Sequence, residues 1–140
     1  VLEITERSIV RLEVVVREAK LLRALGFRLA LDDTGAGNAG LEMLSQLPVD
    51  FVKIDRGIVV KALTDPSARA ILTGITTMAR LMKSYVIAEG IENVAMLTLV
   101  QQVGVQGVQG YLLGRPTLIL PSAPELQMLS PSAQSLSLVA

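Results

Sequence analysis

The chain has 140 residues, 51% of them hydrophobic and 19% charged, with Lys+Arg and Asp+Glu balanced at 13 each. That composition is too apolar for a disordered segment and carries no basic excess for a nucleic-acid groove or a basic membrane patch. Cysteine and histidine are both absent, which excludes a disulfide framework, a zinc knuckle, a thiol nucleophile and a histidine acid–base catalyst. Any metal chemistry therefore falls to carboxylates and amides, donors that suit Mg2+ or Mn2+. The apolar runs are short and interrupted, so neither a transmembrane span nor a signal peptide is expected.

Val1 to Thr5 reads as the end of a strand, and the chain opens inside this apolar run as a piece of something longer would. A helix is expected from about Ser8, with Leu12, Val15, Val16, Ala19 and Leu22 on one face and Gly26 as its stop. Phe27 to Leu31 is the next strand, ending at Asp32-Asp33. The glycine-rich turn from Thr34 to Gly40 leads into a short helix that Pro48 ends. Phe51 to Asp55 is a strand. Asp65-Pro66 marks a helix start, followed at helical spacing by Ile71, Leu72, Ile75, Met78, Ala79 and Met82. Tyr85 to Ala88 is a strand ending at Glu89-Gly90, Asn93 to Val103 is helical, and a last strand around Val105 to Val108 ends at Gln109-Gly110-Tyr111. Strands alternating with helices imply right-handed βαβ units and a parallel sheet. Residues 118–140, rich in Ser, Pro and Leu without periodicity, are expected to be a peripheral or frayed tail.

Glu3, Asp32, Asp33, Lys53, Asp55, Glu89 and Gln109 all fall in or at the C-terminal ends of these strands. In a parallel sheet those ends share one rim, where α/β proteins place their sites. Each residue has a plainer reading: Asp32-Asp33 as helix caps, Lys53 as a salt-bridge partner, Glu89 and Glu92 as helix-start carboxylates. Glu3, between apolar neighbours, is expected to be a buried charge. Together, so many like charges on one rim call for a cation, and a carboxylate two-cation site is most often used in phosphoester hydrolysis.

A competing pattern is Gly35-Ala36-Gly37-Asn38-Ala39-Gly40, which fits G-x-G-x-x-G after a strand, with Asp55 about twenty residues on. That would make the chain a dinucleotide-binding oxidoreductase. Two features weaken it: Asp32-Asp33 would repel a pyrophosphate, and the helix before Pro48 spans only about two turns.

The motifs also resemble those of EAL-domain cyclic di-GMP phosphodiesterases. Leu2-Glu3-Ile4-Thr5-Glu6 resembles "ELTES", and Asp32 to Gly37 resembles "DDFGTG". Phe51 to Asp55 resembles "xxKID", Val86 to Glu92 resembles "VIAEGVE", and Val108 to Pro116 resembles "xQGYxxGxP". They occur in family order and cover residues 1–117. The resemblance implies a parallel (β/α)8 TIM-barrel-type α/β fold, present as a partial barrel of about its last five strands, since such a barrel takes about 250 residues.

The resemblance further implies that Glu3 and Asp32 hold one divalent metal, Mg2+ or Mn2+, and that Asp32 bridges to a second held by Asp33. Glu89 would bind the second metal or act as base, Lys53 would hold the water or phosphate, and Gln109 would contact the water network or substrate. Glu6 would steady the loop after Asp33. The implied reaction hydrolyses cyclic di-GMP to linear pGpG in the cytoplasm. Implied partners are a second copy in a homodimer and sensor or cyclase domains in a longer protein. Nucleic acid and direct membrane insertion are not expected.

Thr34, Ala36, Asn38, Ala39 and Gly40 stand where the family pattern has Phe, Thr, Tyr, Ser and Ser. Neither the Glu-Ala-Leu signature nor the Asn ligand that follows it lies within these residues. A catalytically inactive cyclic di-GMP-binding or interaction module is therefore the main alternative.

Overall fold

The computed structural model describes residues 1–5, 11–37, 40–115 and the backbone of 137–138. Glu6, Asn38, Ala39 and most of the 118–140 segment lie outside the described residues.

Among the described residues, six strands form one all-parallel sheet in sequential order: β1 (Leu2–Thr5), β2 (Leu29–Thr34), β3 (Phe51–Ile54), β4 (Tyr85–Ala88), β5 (Gly107–Val108) and β6 (Ser137–Leu138). Between them come α1 (Leu12–Ala24), α2 (Gly40–Gln46), α3 (Arg56–Ala62), α4 (Pro66–Leu81) and α5 (Val94–Gln102). Sequential parallel neighbours require crossover connections, and right-handed crossovers put the described helices on one face. This is the layout of one side of a (β/α)8 barrel, as the family resemblance implies. Ser137–Leu138, within the segment expected as a tail, pairs with β5.

Side-chain alternation assigns the two faces. Leu29, Leu31, Val52, Ile54, Val86 and Ala88 turn to the helices and join Ala19, Met43, Leu44, Val59, Leu72 and Val100 in one core. Each fully buried aliphatic side chain there contributes roughly 1.5–3 kcal/mol. Leu12, Val15, Val16 and Leu22 of α1 pack against that core, as their spacing predicts. The opposite face carries Ala30, Phe51, Tyr85 and Ile87, with Phe51 and Tyr85 in edge-to-face contact at 6.2 Å.

The caps follow the sequence closely. Asp65 accepts from Ser67 N–H ahead of Pro66, Asn93 accepts from Met96 N–H, and Gly26 leaves α1 with φ +88°. Three details depart from the sequence reading. β2 starts at Leu29, and Phe27 is exposed, because the turn leaving α1 consumes two more residues. Ile71 and Met82 are exposed, since Leu72, Ile75 and Ala79 already fill the buried stripe of α4. An unanticipated helix, α3, begins directly after β3, with Asp55 as its cap accepting from Gly57 N–H at 2.8 Å.

Thr34 turns into the helix-facing layer beside Ile54 in register, 1% exposed, and its Oγ1 has no hydrogen-bond partner. An orphaned buried hydroxyl costs about 1–3 kcal/mol. Thr34→Val is therefore expected to raise stability by about 1 kcal/mol in urea denaturation. A destabilised variant would show that the hydroxyl has a partner in solution.

Candidate active site

Four consecutive strands deliver charged side chains to one rim. Lys53, on the inner face of β3 and 14% exposed, places Nζ 2.9 Å from Glu3 Oε1, 3.1 Å from Asp32 Oδ1 and 2.9 Å from Glu89 Oε1. These three partners come from β1, β2 and the residue after β4. The main chain locks the strand ends: Asp55 N–H donates to Thr34 C=O, Glu89 N–H to Ile54 C=O and Gln109 N–H to Ala88 C=O.

Asp32 and Asp33 are adjacent, and in a regular strand their side chains would point to opposite faces. Here β2 contains a bulge: Leu31 pairs with Val52 but Thr34 pairs with Ile54, so three steps of β2 match two of β3. Asp33 absorbs the extra residue at φ +56°, a left-handed conformation that Asp tolerates better than most residues. As a result, carboxylate oxygens of Asp32, Asp33 and Glu89 lie within 4.8 Å of one another.

Burial disfavours the charged form of Lys53, but the carboxylates of Glu3, Glu89 and Asp32 outweigh it and raise its pKa well above the usual lysine value. The ammonium is therefore a fixed positive charge and not a proton acceptor. Glu89 is raised mainly by burial, with Lys53 pulling it down and the charges of Asp32 and Glu3 pushing it up. A carboxylate so placed accepts a proton more readily than an exposed one.

The acid trio suits a divalent cation on three grounds. Its oxygens are spaced as ligands on one hard cation at about 2.0–2.6 Å must be. Asp32 Oδ1 is buried, and the Lys53 ammonium 3.1 Å away is its one charged neighbour among the described ion pairs, leaving the oxygen with lone-pair capacity for a cation. Among the described residues, Glu3, Asp32 and Glu89 share the ammonium of Lys53 while Asp33 converges on two of them, an excess of negative charge that a cation would relieve.

The remaining candidates take different positions. Glu3, expected to be buried, has a side chain 50% exposed, because β1 is an edge of the described sheet. It pairs with Lys53 and stands outside the Asp32–Asp33–Glu89 trio. Gln109 is exposed at the end of β5, next in the sheet to Glu89. Glu6 lies outside the described residues. Asp55, the ribose partner in the dinucleotide reading, is engaged as the cap of α3. Asp32 and Asp33 lie within β2 and cap no described helix.

With this geometry in hand, similarity to known proteins is unambiguous. A sequence model of the EAL domain matches residues 1–116, and the chain belongs to that family. It is 38% identical over 117 residues to the probable cyclic di-GMP phosphodiesterase PdeA of Escherichia coli K12, a match covering 83% of this chain and 16% of that protein. It is 34% identical over 119 residues to the bifunctional diguanylate cyclase/cyclic di-GMP phosphodiesterase MucR of Pseudomonas aeruginosa, covering 83% of this chain and 17% of MucR. The chain thus spans about a sixth of the length of these relatives.

Among solved structures, the EAL enzyme Bd1971 in its cGMP-bound form superposes with a TM-score of 0.76 at 38% identity, covering 83% of this chain and 31% of that one. Klebsiella pneumoniae BlrP1 in complex with manganese and cyclic di-GMP gives 0.75 at 32% identity, covering 81% and 29%. Among the described residues, no helix is long and apolar enough to cross a membrane.

Proposed function

We propose that this chain carries part of the catalytic rim of a divalent-cation-dependent phosphodiesterase that hydrolyses cyclic di-GMP to linear pGpG. The observation that carries the reading is the Lys53-centred cluster, in which four strands aim three carboxylates at one ammonium while Asp32, Asp33 and Glu89 converge. The names of PdeA, MucR and BlrP1 support the same substrate. Asp32, Asp33 and Glu89 would hold Mg2+ or Mn2+, and Glu3 would join them when released from Lys53. The bound cation would supply charge neutralisation at the phosphate and a lowered pKa for water.

Lys53 acts as a permanently charged hydrogen-bond donor that orients the attacking water or a non-bridging phosphate oxygen. Where its carboxylate is not engaged by the cation, Glu89 is the group placed to take the proton that the attacking water loses. The water oxygen bonds to phosphorus as the phosphorus–oxygen bond to one ribose breaks, and the leaving ribose oxygen takes a proton from solvent to become a hydroxyl. Gln109, exposed on the same rim, donates to the substrate or its water shell. The protein would work in the cytoplasm as a homodimer, joined to sensor or cyclase domains.

The deciding experiment incubates the protein bearing this segment with cyclic di-GMP and Mn2+ and follows pGpG by chromatography. Appearance of pGpG that stops on chelation is the expected result. A second reading, a receptor without turnover, is favoured by one feature, the replacement of the family's Phe and Thr by Thr34 and Ala36 in the loop after Asp33. Calorimetric binding of cyclic di-GMP without pGpG would establish the receptor and overturn the hydrolase.

A further inference from the structure

Glu89 sits at the head of a loop that is held with unusual thoroughness. Its own N–H donates to Ile54 C=O, Ile91 N–H donates to Gln109 C=O, and Leu112 N–H donates to Ile91 C=O. On the other side lies Arg56, the first residue of α3. Its guanidinium forms a two-pronged pair with Glu92, Nε to Oε1 at 3.0 Å and Nη2 to Oε2 at 2.8 Å. Its stem covers Gly90: a Cβ built there would lie 2.6–2.8 Å from Arg56 Cδ, Cγ and Cβ. Gly90 also has φ +62°, so a side chain is excluded both by conformation and by the arginine stem.

We infer that Arg56 is a positioning residue for Glu89, fixing the carboxylate toward Asp32 and Asp33 by clamping Glu92 and covering Gly90. The inference rests on reading Glu89 as a cation ligand. The planar fork of Arg meets a carboxylate with defined geometry, so it sets orientation as well as attraction. Arg56 follows Lys53 by three residues across the Asp55 cap, which ties the loop to the strand that bears the central ammonium. The pair is about half exposed, at 51% and 42%, and such pairs add little to global stability. Its effect is therefore local, on where Glu89 stands.

The test compares the chain with its Arg56→Ala variant by two readouts, Mn2+ affinity from electron paramagnetic resonance titration and amide hydrogen exchange at Glu89 and Ile91. The expected result is about tenfold weaker Mn2+ binding, the scale typical of residues that orient ligands, with faster exchange at both amides and Tm within a few degrees. Arg56→Lys, which lacks the fork, should not restore either readout. The charge-exchanged R56E/E92R pair should restore part of both. Unchanged affinity with unchanged exchange overturns the inference. Should Arg56→Ala melt as a whole, Glu92→Gln carries the same comparison with its shape preserved. Absence of Mn2+ binding by the unaltered chain would sink the cation reading of Glu89, and the exchange rates, which need no ion, would then decide whether the clamp holds the loop.

Discussion

Lys53→Met should abolish pGpG formation by the protein bearing this segment, cutting turnover by at least about 100-fold, the scale of losing one charge-stabilising donor. The same variant should behave oppositely toward the cation. With the ammonium gone, Glu3, Asp32 and Glu89 lose the positive charge that all three contact at 2.9–3.1 Å. Removing one partner of a fully buried pair costs about 3–5 kcal/mol, and the half-exposed Glu3 brings the figure here to about 2–3 kcal/mol. In chelator the variant should therefore unfold at distinctly lower urea. A divalent cation at about a hundred times its dissociation constant adds about 2.7 kcal/mol and should offset most of that loss. Because the ammonium no longer competes for Asp32 and Glu89, Mn2+ should bind the variant at least as tightly as the parent chain. Retained turnover would remove Lys53 from the chemistry, and a Mn2+ affinity that falls with it would make the lysine a structural support of the site.

Asp32→Asn should weaken Mn2+ binding by more than about 100-fold, beyond what residues outside the ligand set usually cost. Asp32 belongs to the trio of converging carboxylates, and its Oδ1 is the buried oxygen with lone-pair capacity for a cation. Its stability effect should be small, within about 1 kcal/mol, because attraction to Lys53 is offset by repulsion from Glu3, Asp33 and Glu89. The pairing of a large affinity loss with an almost unchanged urea midpoint identifies a ligand. An equal loss in both would indicate a residue that holds the rim together.

Much of this site is legible in the chain. Acidic residues closing β-rich runs mark one rim of a parallel sheet, and Asp32, Lys53 and Glu89 do meet there. The helix caps at Asp65 and Asn93 are visible because capping chemistry is local. α3 is harder to see, since Gly57 interrupts its helical propensity and Asp55 looks like the end of a strand when it is the cap of the next helix. Glu3 looks buried from its neighbours, yet burial depends on what lies beside β1 in space.

The order of the first five strands, the parallel sheet and the family follow from the sequence alone, because side-chain periodicity, caps and motif spacing are properties of short stretches of chain. The absence of His and Cys also restricted the site to a carboxylate-and-lysine chemistry before any fold was considered. Only the tertiary structure decides which of those groups touch. The bulge that lets adjacent Asp32 and Asp33 converge is a property of register between β2 and β3, and a single residue of slip reverses the faces of a strand. The hold of Arg56 on Glu92, 36 residues away, likewise exists only once β3 and β4 are paired and α3 starts where it does.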